Sequence, residues 1–223
     1  MELVLDCVIP YIKESDDLNS VSLVSKNFFD IDSKTRKHVT VHVHFLPDPK
    51  RLSCRFPNLE SLTLKSCSYG FGTADKCCIP VTPWILEIAV EFTRLKSLCI
   101  RNMVVSASDL KLLAKTRGGS LRSLEIRGCK MFSDDGLIDI ASGVKFPSNI
   151  RALHIQELRE ASFPFLLPYL NQLRELDIEC ADLQPNCLCF LIQRCPRLEV
   201  LVTQDIGGDE VLQVIGQICK KLR

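Results

Sequence analysis

Apolar residues recur along most of the chain in one short phrase: two leucines three positions apart, followed two positions later by a further apolar residue. The clearest copies are Leu59–Cys67 and Leu121–Cys129, and looser copies begin at Leu95, Ile150, Leu173 and Leu198. The central leucines of the six copies are spaced 36, 26, 29, 23 and 25 residues apart. Regular recurrence at this interval indicates an array of structural repeats rather than a single folded core.

The two clearest copies read L-x-x-L-x-L-x-x-C, which is the strand-and-turn half of a leucine-rich repeat. All but the first spacing lie at or near the usual period of roughly 20–29 residues. The sequence therefore predicts an α/β solenoid with parallel strands on its concave side and helices on its convex side. Residues 46–223 are assigned to about six repeats. Leu222-Arg223 begins a strand without finishing it, so a C-terminal capping repeat is predicted to be missing.

Helix signals fall between the repeat strands. Thr82-Pro83-Trp84 places a proline at the first helical turn, and Trp84, Ile88 and Phe92 then recur every four residues as a core stripe. Capping residues followed by apolar stripes predict further helices from Ser108 and Ser133. Two more helices are predicted over 185–194 and 209–219.

Residues 1–45 do not follow the repeat and are predicted to form a small helical domain. Leu5, Val8, Ile9 and Ile12 make an amphipathic helical stripe, which Pro10 shortens or kinks. Ser15-Asp16-Asp17 caps a second helix that is predicted to run through Leu18, Leu23 and Val24. Strict alternation over 39–45 predicts a strand at the end of the domain.

Composition narrows the classes of function. The net charge is only +1, so no global field favours nucleic acid or an acidic membrane. No apolar run approaches the roughly 20 residues of a membrane span, and no signal peptide is evident. The twelve cysteines are therefore expected to be reduced, and they lack zinc-site spacing. His42 and His44 share a strand face, but no third metal ligand is evident, so we predict no metal site.

Catalytic motifs are absent from the sequence, so we predict a non-catalytic protein. Six basic residues lie on or just beyond the repeat strands: Lys65, Arg101, Arg122, Arg127, Arg151 and Arg174. Parallel strands could bring several of them onto one concave surface, forming a site for an anion or an acidic peptide. The alternative is that each is a solvated side chain at the edge of a strand.

Leu5 to Arg36 resembles an F-box, carried by V-I-P-Y-I, D-D-L and S-L-V-S-K-N-F-F. Ser25 and Phe28 stand where F-boxes usually have cysteine and tryptophan. Further phrases are similar to the coronatine-insensitive protein family, the plant F-box/leucine-rich-repeat jasmonate receptors: R-K-H-V-T, R-F-P-N-L-E-S-L, V-T-P-W, K-S-L and C-P-R-L-E-V-L. This resemblance covers nearly the whole chain.

The resemblance implies the substrate-recognition subunit of an SCF-type cullin-RING ubiquitin ligase, with a nuclear location and the cytoplasm as an additional one. Its partners would be a Skp-type adaptor and ZIM-domain repressors, the latter captured with jasmonoyl-isoleucine and ubiquitinated for degradation. The adaptor would contact the F-box residues Leu5, Val8, Ile9, Ile12, Leu18, Val24 and Phe28. The alternative is that these side chains form the internal core of a helical cap.

Lys65 and Arg101 match basic residues that hold an inositol phosphate in the family, so the resemblance implies this cofactor. Asn102, Cys180 and Gln204 depart from the family's basic residue, tyrosine and arginine at the matching positions, and the loop 69–78 lacks its hormone-contacting residues. Roughly three repeats are missing around Gly143–Pro147. A second hypothesis is therefore a degenerate leucine-rich-repeat binding module without hormone binding or ligase function.

Overall fold

The strands form a parallel array in the computed structural model. The structure describes residues 8–12, 14–66, 79–127, 129–131, 151–155, 170–178, 183–204 and 208–223. The strands are β1 His38–His42, β2 Ser61–Lys65, β3 Ser97–Arg101, β4 Val104–Val105, β5 Ser123–Arg127, β6 Lys130–Met131, β7 Ala152–Ile155, β8 Glu175–Ile178 and β9 Val200–Thr203. Seven of them make one sheet in the order β1-β2-β3-β5-β7-β8-β9, and β4 pairs with β6. The predicted leucine-rich-repeat fold is confirmed.

Each predicted repeat phrase becomes a strand of the seven-stranded sheet. The central leucines pair in unbroken register across it: Leu62, Leu98, Leu124, Leu153, Leu176 and Leu201. Leu62 and Leu64 are fully buried, whereas the residues between and beside them are half-buried. Because side chains alternate between the two faces of a strand, the leucines enter the core and the polar positions form an outer surface.

Strand β1 extends the sheet by one strand before the first repeat. It pairs in parallel with β2 from His38↔Ser61 to His42↔Lys65. It ends earlier than the predicted strand over 39–45, because the Phe45 N–H donates to the His42 carbonyl at 2.9 Å and closes a turn. The helical domain predicted over 1–45 thus finishes in a strand that belongs to the repeat sheet, and its boundary at residue 45 stays a prediction.

Three of the described α-helices begin at a side-chain cap, but the helix from Ser15 has none, so the cap predicted from Ser15-Asp16-Asp17 is wrong. The described helices are a 3-10 helix Ile9–Tyr11, then α1 Ser15–Ser22, α2 Lys26–Thr35, α3 Pro49–Arg55, α4 Thr82–Val90, α5 Ala107–Arg117, α6 Pro185–Gln193 and α7 Asp209–Ile218. At the start of α5, Ser106 and Asp109 form a reciprocal capping box. Helix α1 stops short of the predicted Leu23 and Val24, because Ser25 caps α2 by accepting from the Phe28 N–H at 3.3 Å.

The apolar core lies between the sheet and the helices. Helix α4 buries Trp84, Ile85 and Ile88 and packs against α5, and Phe92 continues the same buried stripe. The predicted spacing of Trp84, Ile88 and Phe92 is therefore confirmed as a core stripe.

Several sequence predictions lie outside the described residues. They concern Leu5, the loop 69–78, the helix predicted from Ser133, the region Gly143–Pro147 and Cys180.

Candidate binding surfaces

The predicted adaptor-contacting residues divide into exposed and internal side chains. Val8 and Val24 are 53% and 68% exposed, whereas Ile9 is 2% exposed. Ile9, Ile12 and Leu18 also line a cavity of about 480 Å³ that reaches the first two strands, and Phe28 is half-buried. The structure therefore places Val8 and Val24 where a partner can reach them, and places Ile9 where it supports the 3-10 helix.

Exposed apolar side chains are concentrated near these two valines. Five of the eleven large exposed apolar residues in the described chain lie within residues 8–29: Val8, Tyr11, Leu23, Val24 and Phe29. Leu23, at 85% exposed, stands beside Val24 in the turn between α1 and α2. Exposed apolar side chains within one short segment make that segment a candidate surface for a protein partner. Leu23, Tyr11 and Phe29 were not among the predicted contacts.

A buried ion-pair cluster joins these helices to the first repeat. The fully buried carboxylate of Asp32 on α2 accepts from Arg36 Nε at 2.8 Å and lies 3.6 Å from Arg55 Nη2 on α3. Arg36 also donates to Asn19 of α1 at 2.8 Å. One carboxylate thus ties together α1, α2 and α3, and we call this cluster the Asp32 clamp.

Aromatic rings flank the arginines of the Asp32 clamp. The Arg55 guanidinium lies 4.3 Å from the centroid of Phe29 and 4.7 Å from that of Phe56, and Arg36 lies 5.2 Å from Phe56. Burial lowers the pKa of Arg55 from its ordinary value, and the charge of Asp32 opposes this effect. The rings and the carboxylate together stabilise two cations at a junction that is largely closed to solvent.

On the outer face of the sheet, the strand register sets the charged side chains in rows. The last residues of the first four strands of the sheet form one row: His42, Lys65, Arg101 and Arg127. The next row lies two residues earlier and contains Thr63, Cys99, Glu125, His154 and Asp177. Lys65 and Arg101, the predicted inositol-phosphate residues, are therefore direct neighbours in one basic row.

Two carboxylates balance part of the basic row. Glu125 Oε1 accepts from Arg101 Nη2 at 2.7 Å and forms an ion pair with Arg127, whose Nε lies 2.6 Å away. Asp177 Oδ2 lies 3.3 Å from Arg127 Nη2 and 3.2 Å from His154 Nδ1. Lys65 has no ion pair within the described part of the chain. An anion at this row would meet one unpaired cation and two arginines already held by acids.

Cys99 also contacts the basic row. Arg101 Nε donates to Cys99 Sγ at 3.2 Å, and burial raises the pKa of the Cys99 thiol. A thiol in this state is neutral, so Glu125 supplies the negative charge that balances Arg101. The sequence prediction missed Glu125 and Asp177 because their pairing with Arg101 and Arg127 spans 24 and 50 positions, respectively.

Replacing Glu125 with glutamine is expected to strengthen anion binding at Lys65, Arg101 and Arg127. The change keeps the size of the side chain and removes the acid that two arginines share. Affinity for inositol hexakisphosphate should rise by about tenfold at low salt and by less at high salt. Calorimetric titration measures it, with Glu91→Gln as the control, because Glu91 is exposed and lies just after α4, outside the row. Unchanged or weaker binding by E125Q would contradict this interpretation of the row.

The six basic residues named in the sequence analysis fall into two sets at opposite ends of the strands. Lys65, Arg101 and Arg127 end their strands, whereas Arg122, Arg151 and Arg174 each precede a strand. A five-residue strand separates the two sets by about 16 Å. Several of the six therefore share one row, as predicted, whereas Arg122, Arg151 and Arg174 lie at the opposite end of the strands.

The described residues contain no group of three or more histidine, cysteine, aspartate or glutamate side chains arranged to hold a metal ion. His44 Nε2 instead lies 3.0 Å from Ser66 Oγ. Among the described helices, none has the length and apolar character needed to cross a membrane.

Comparisons with known proteins agree with this arrangement. A family model described as an F-box matches residues 1–38, ending at the first residue of β1. Coronatine-insensitive protein 1 of Arabidopsis thaliana is 28% identical over 99% of this chain and 55% of its own length. Coronatine-insensitive protein homolog 1b of Oryza sativa subsp. japonica is 25% identical over 100% of this chain and 55% of its own length. GRR1-like protein 1 of Arabidopsis thaliana is 32% identical over 89% of this chain and 35% of its own length.

The chain thus spans about half the length of the coronatine-insensitive relatives that it matches. The alignment with the Arabidopsis protein runs over 329 positions although this chain has 223 residues, so many positions are filled only in the relative. Among solved structures, a chain of the Rad7 and Elc1 complex in yeast superposes with a TM-score of 0.54 at 18% identity, covering 91% of this chain and 53% of that one. This last similarity concerns the fold alone.

Proposed function

We infer that this chain, a divergent F-box and leucine-rich-repeat protein similar to the coronatine-insensitive proteins, is a substrate-recognition subunit of an SCF-type cullin-RING ubiquitin ligase. The observation that carries the proposal is the F-box match over 1–38 on the segment where exposed apolar side chains are concentrated. The segment would bind a Skp-type adaptor, and the outer face of the sheet would bind the protein to be ubiquitinated. Such an adaptor needs no catalytic residues of its own.

The Asp32 clamp supports separate roles for the two parts of the chain, in which the F-box segment binds the adaptor and the repeats bind the client. It connects α1 and α2 to α3 at the start of the repeats. A ubiquitin ligase must hold its client at a defined distance from the adaptor, because the reacting groups have to be brought together in a productive geometry. A buried junction suits this role better than a flexible linker would.

Replacing Leu23 and Val24 together with aspartate is expected to weaken binding of a Skp-type adaptor by at least about tenfold, which corresponds to roughly 1.4 kcal/mol. Two carboxylates would then occupy an apolar contact and lose their hydration on binding. The matched control is Leu86→Asp, because Leu86 is 54% exposed but lies on α4 outside the F-box match. Pull-down and surface plasmon resonance with purified adaptor provide the measurement.

Two results would count against the adaptor function. One is that the folded wild-type chain fails to capture any Skp-type adaptor. The other is that the Leu23/Val24 variant binds as tightly as wild type while its circular dichroism spectrum is unchanged. The first result would favour the second hypothesis, a leucine-rich-repeat binding module without ligase function.

We also propose a finer role, in which the client is a ZIM-domain repressor captured with jasmonoyl-isoleucine over an inositol phosphate. The similarity to the coronatine-insensitive proteins supports it, as does the adjacency of Lys65 and Arg101. Gln204, which is exposed, stands where the family has an arginine. Its amide cannot make the charged, paired contact that an arginine makes with a carboxylate. Calorimetry with hormone and a repressor peptide tests this role, and absence of hormone-dependent binding by an adaptor-competent chain would reject it. A nuclear location stays a prediction.

A further inference from the structure

A second row of charged residues runs along the opposite edge of the sheet, just before each strand begins. Its members are Lys37, Glu60, Lys96, Arg122, Arg151, Arg174 and Glu199. Backbone hydrogen bonds connect neighbours directly: Arg122 N–H to the Lys96 carbonyl at 2.7 Å, Arg151 to Arg122 at 2.8 Å, and Arg174 to Arg151 at 2.7 Å. Four consecutive members are cations, separated by the strand spacing of about 4.8 Å. We call these residues the N-edge row.

Acids balance both ends of the run of cations. Glu60 pairs with Lys96 at 2.5 Å and with Lys37 at 3.2 Å, and these two lysines lower the pKa of Glu60 to about 2. Glu199 pairs with Arg174 at 3.1 Å. The outer cations of the run, Lys96 and Arg174, therefore each have an acidic partner.

Arg122 and Arg151 differ from the rest of the row. Both are exposed, and neither side chain has an ion pair or hydrogen bond within the described part of the chain. Like charges on directly adjacent strands destabilise a sheet. Since acids separate or balance the other cations of the row, two adjacent unbalanced arginines are an exception that a bound anion would explain.

These arginines share a cavity. It has a volume of about 430 Å³ and is lined by Arg94, Lys96, Ser120, Arg122 and Arg151 together with Thr93, Gly119 and Glu60. This volume lies within the ordinary range for small-ligand sites, roughly 300–1,000 Å³. Glu60 lies against the lysine side of the cavity, so an anion is favoured on the side of the two arginines. Three guanidinium groups around one cavity exceed what a single carboxylate would balance.

We propose that the N-edge row contains a site for a compact anion with two phosphate groups, bound between Arg122 and Arg151. The planar guanidinium fork donates two parallel hydrogen bonds to phosphate oxygens, and two adjacent forks match two linked phosphates. The site is distinct from the row of Lys65 and Arg101, which lies about 16 Å away at the other end of the strands. It does not rest on the proposed ligase function.

Calorimetric titration of the whole chain with inorganic pyrophosphate at low salt tests the site. Saturable binding is expected, and Arg122→Gln with Arg151→Gln should weaken it by about tenfold or more. Arg197→Gln is the matched control, because Arg197 is an exposed arginine outside the cavity, and it should bind within about twofold of wild type. Arg151→Gln alone provides a second, milder variant, and thermal unfolding followed by circular dichroism confirms that each variant folds.

A second pair of titrations distinguishes the source of the phosphate. A peptide with two adjacent phosphoserines that binds more tightly than pyrophosphate would identify a phosphorylated protein segment, and the reverse order would identify a small free anion. The proposal is overturned if wild type shows no saturable binding. It is also overturned if the Arg122/Arg151 variant binds pyrophosphate like wild type. If Arg101→Gln then abolishes binding, the anion binds at the other end of the strands instead.

Discussion

Replacing Asp32 with alanine should lower the free energy of unfolding by about 3–5 kcal/mol. The change would leave Arg36, whose side chain is 5% exposed, as a buried cation without its carboxylate. Arg55 contributes less, because its side chain is 35% exposed and water screens it. The effect should be visible as a shifted midpoint in urea unfolding followed by circular dichroism.

Asp30 provides the control for this experiment, because it lies on the same helix and is exposed. Asp30→Ala should change the free energy of unfolding by no more than about 0.5 kcal/mol. Asp32→Asn should fall between the two, since an amide oxygen can still accept from Arg36 but brings no charge. If D32A and D30A have equal effects, the Asp32 clamp does not stabilise the junction.

Replacing Trp84 with alanine is the second large effect, with an expected loss of about 3–5 kcal/mol. Trp84 is 2% exposed and belongs to the buried core, so its removal would leave a cavity that rigid neighbours cannot close. Leu86→Ala on the same helix is the control, because Leu86 faces solvent and its truncation should have little effect.

The measurement for Trp84 cannot use intrinsic tryptophan fluorescence, since the chain has one tryptophan. Circular dichroism at increasing urea concentration reports helix and strand loss in both variants. A W84A protein with a midpoint close to that of L86A would mean that the helices between the strands contribute less to stability than their burial implies.

The repeat strands could be predicted from the sequence because burial leaves a local pattern. Leu62 and Leu64, or Leu98 and Ile100, sit two residues apart and all enter the core, so a few residues suffice to reveal each strand. The helices α4, α5, α6 and α7 were predicted for the same reason, through caps and stripes within a single turn or two. The predicted end of α1 was wrong because Leu23 and Val24 continue the apolar pattern but lie exposed in the turn before Ser25, which caps α2.

The binding surfaces could be predicted only in part, because they depend on pairing between distant residues. Asp32 and Arg36 are four residues apart, but Arg55 joins them from a different helix. Glu125 meets Arg101 only through the strand register. Basic residues at opposite ends of a strand look alike in the sequence, so the sequence could not show which of the six lie together.

The unbroken register of the seven strands has an evolutionary consequence. The location of each outward side chain is set by its strand and by its position along that strand. Side chains at matching positions on neighbouring strands are separated by about 4.8 Å. Because each repeat contacts only its neighbours, gain or loss of one repeat leaves the local packing intact while it brings together side chains that were previously apart. In such a fold, the ligand specificity of the outer face can change through repeat number alone, without any substitution at the residues that contact the ligand.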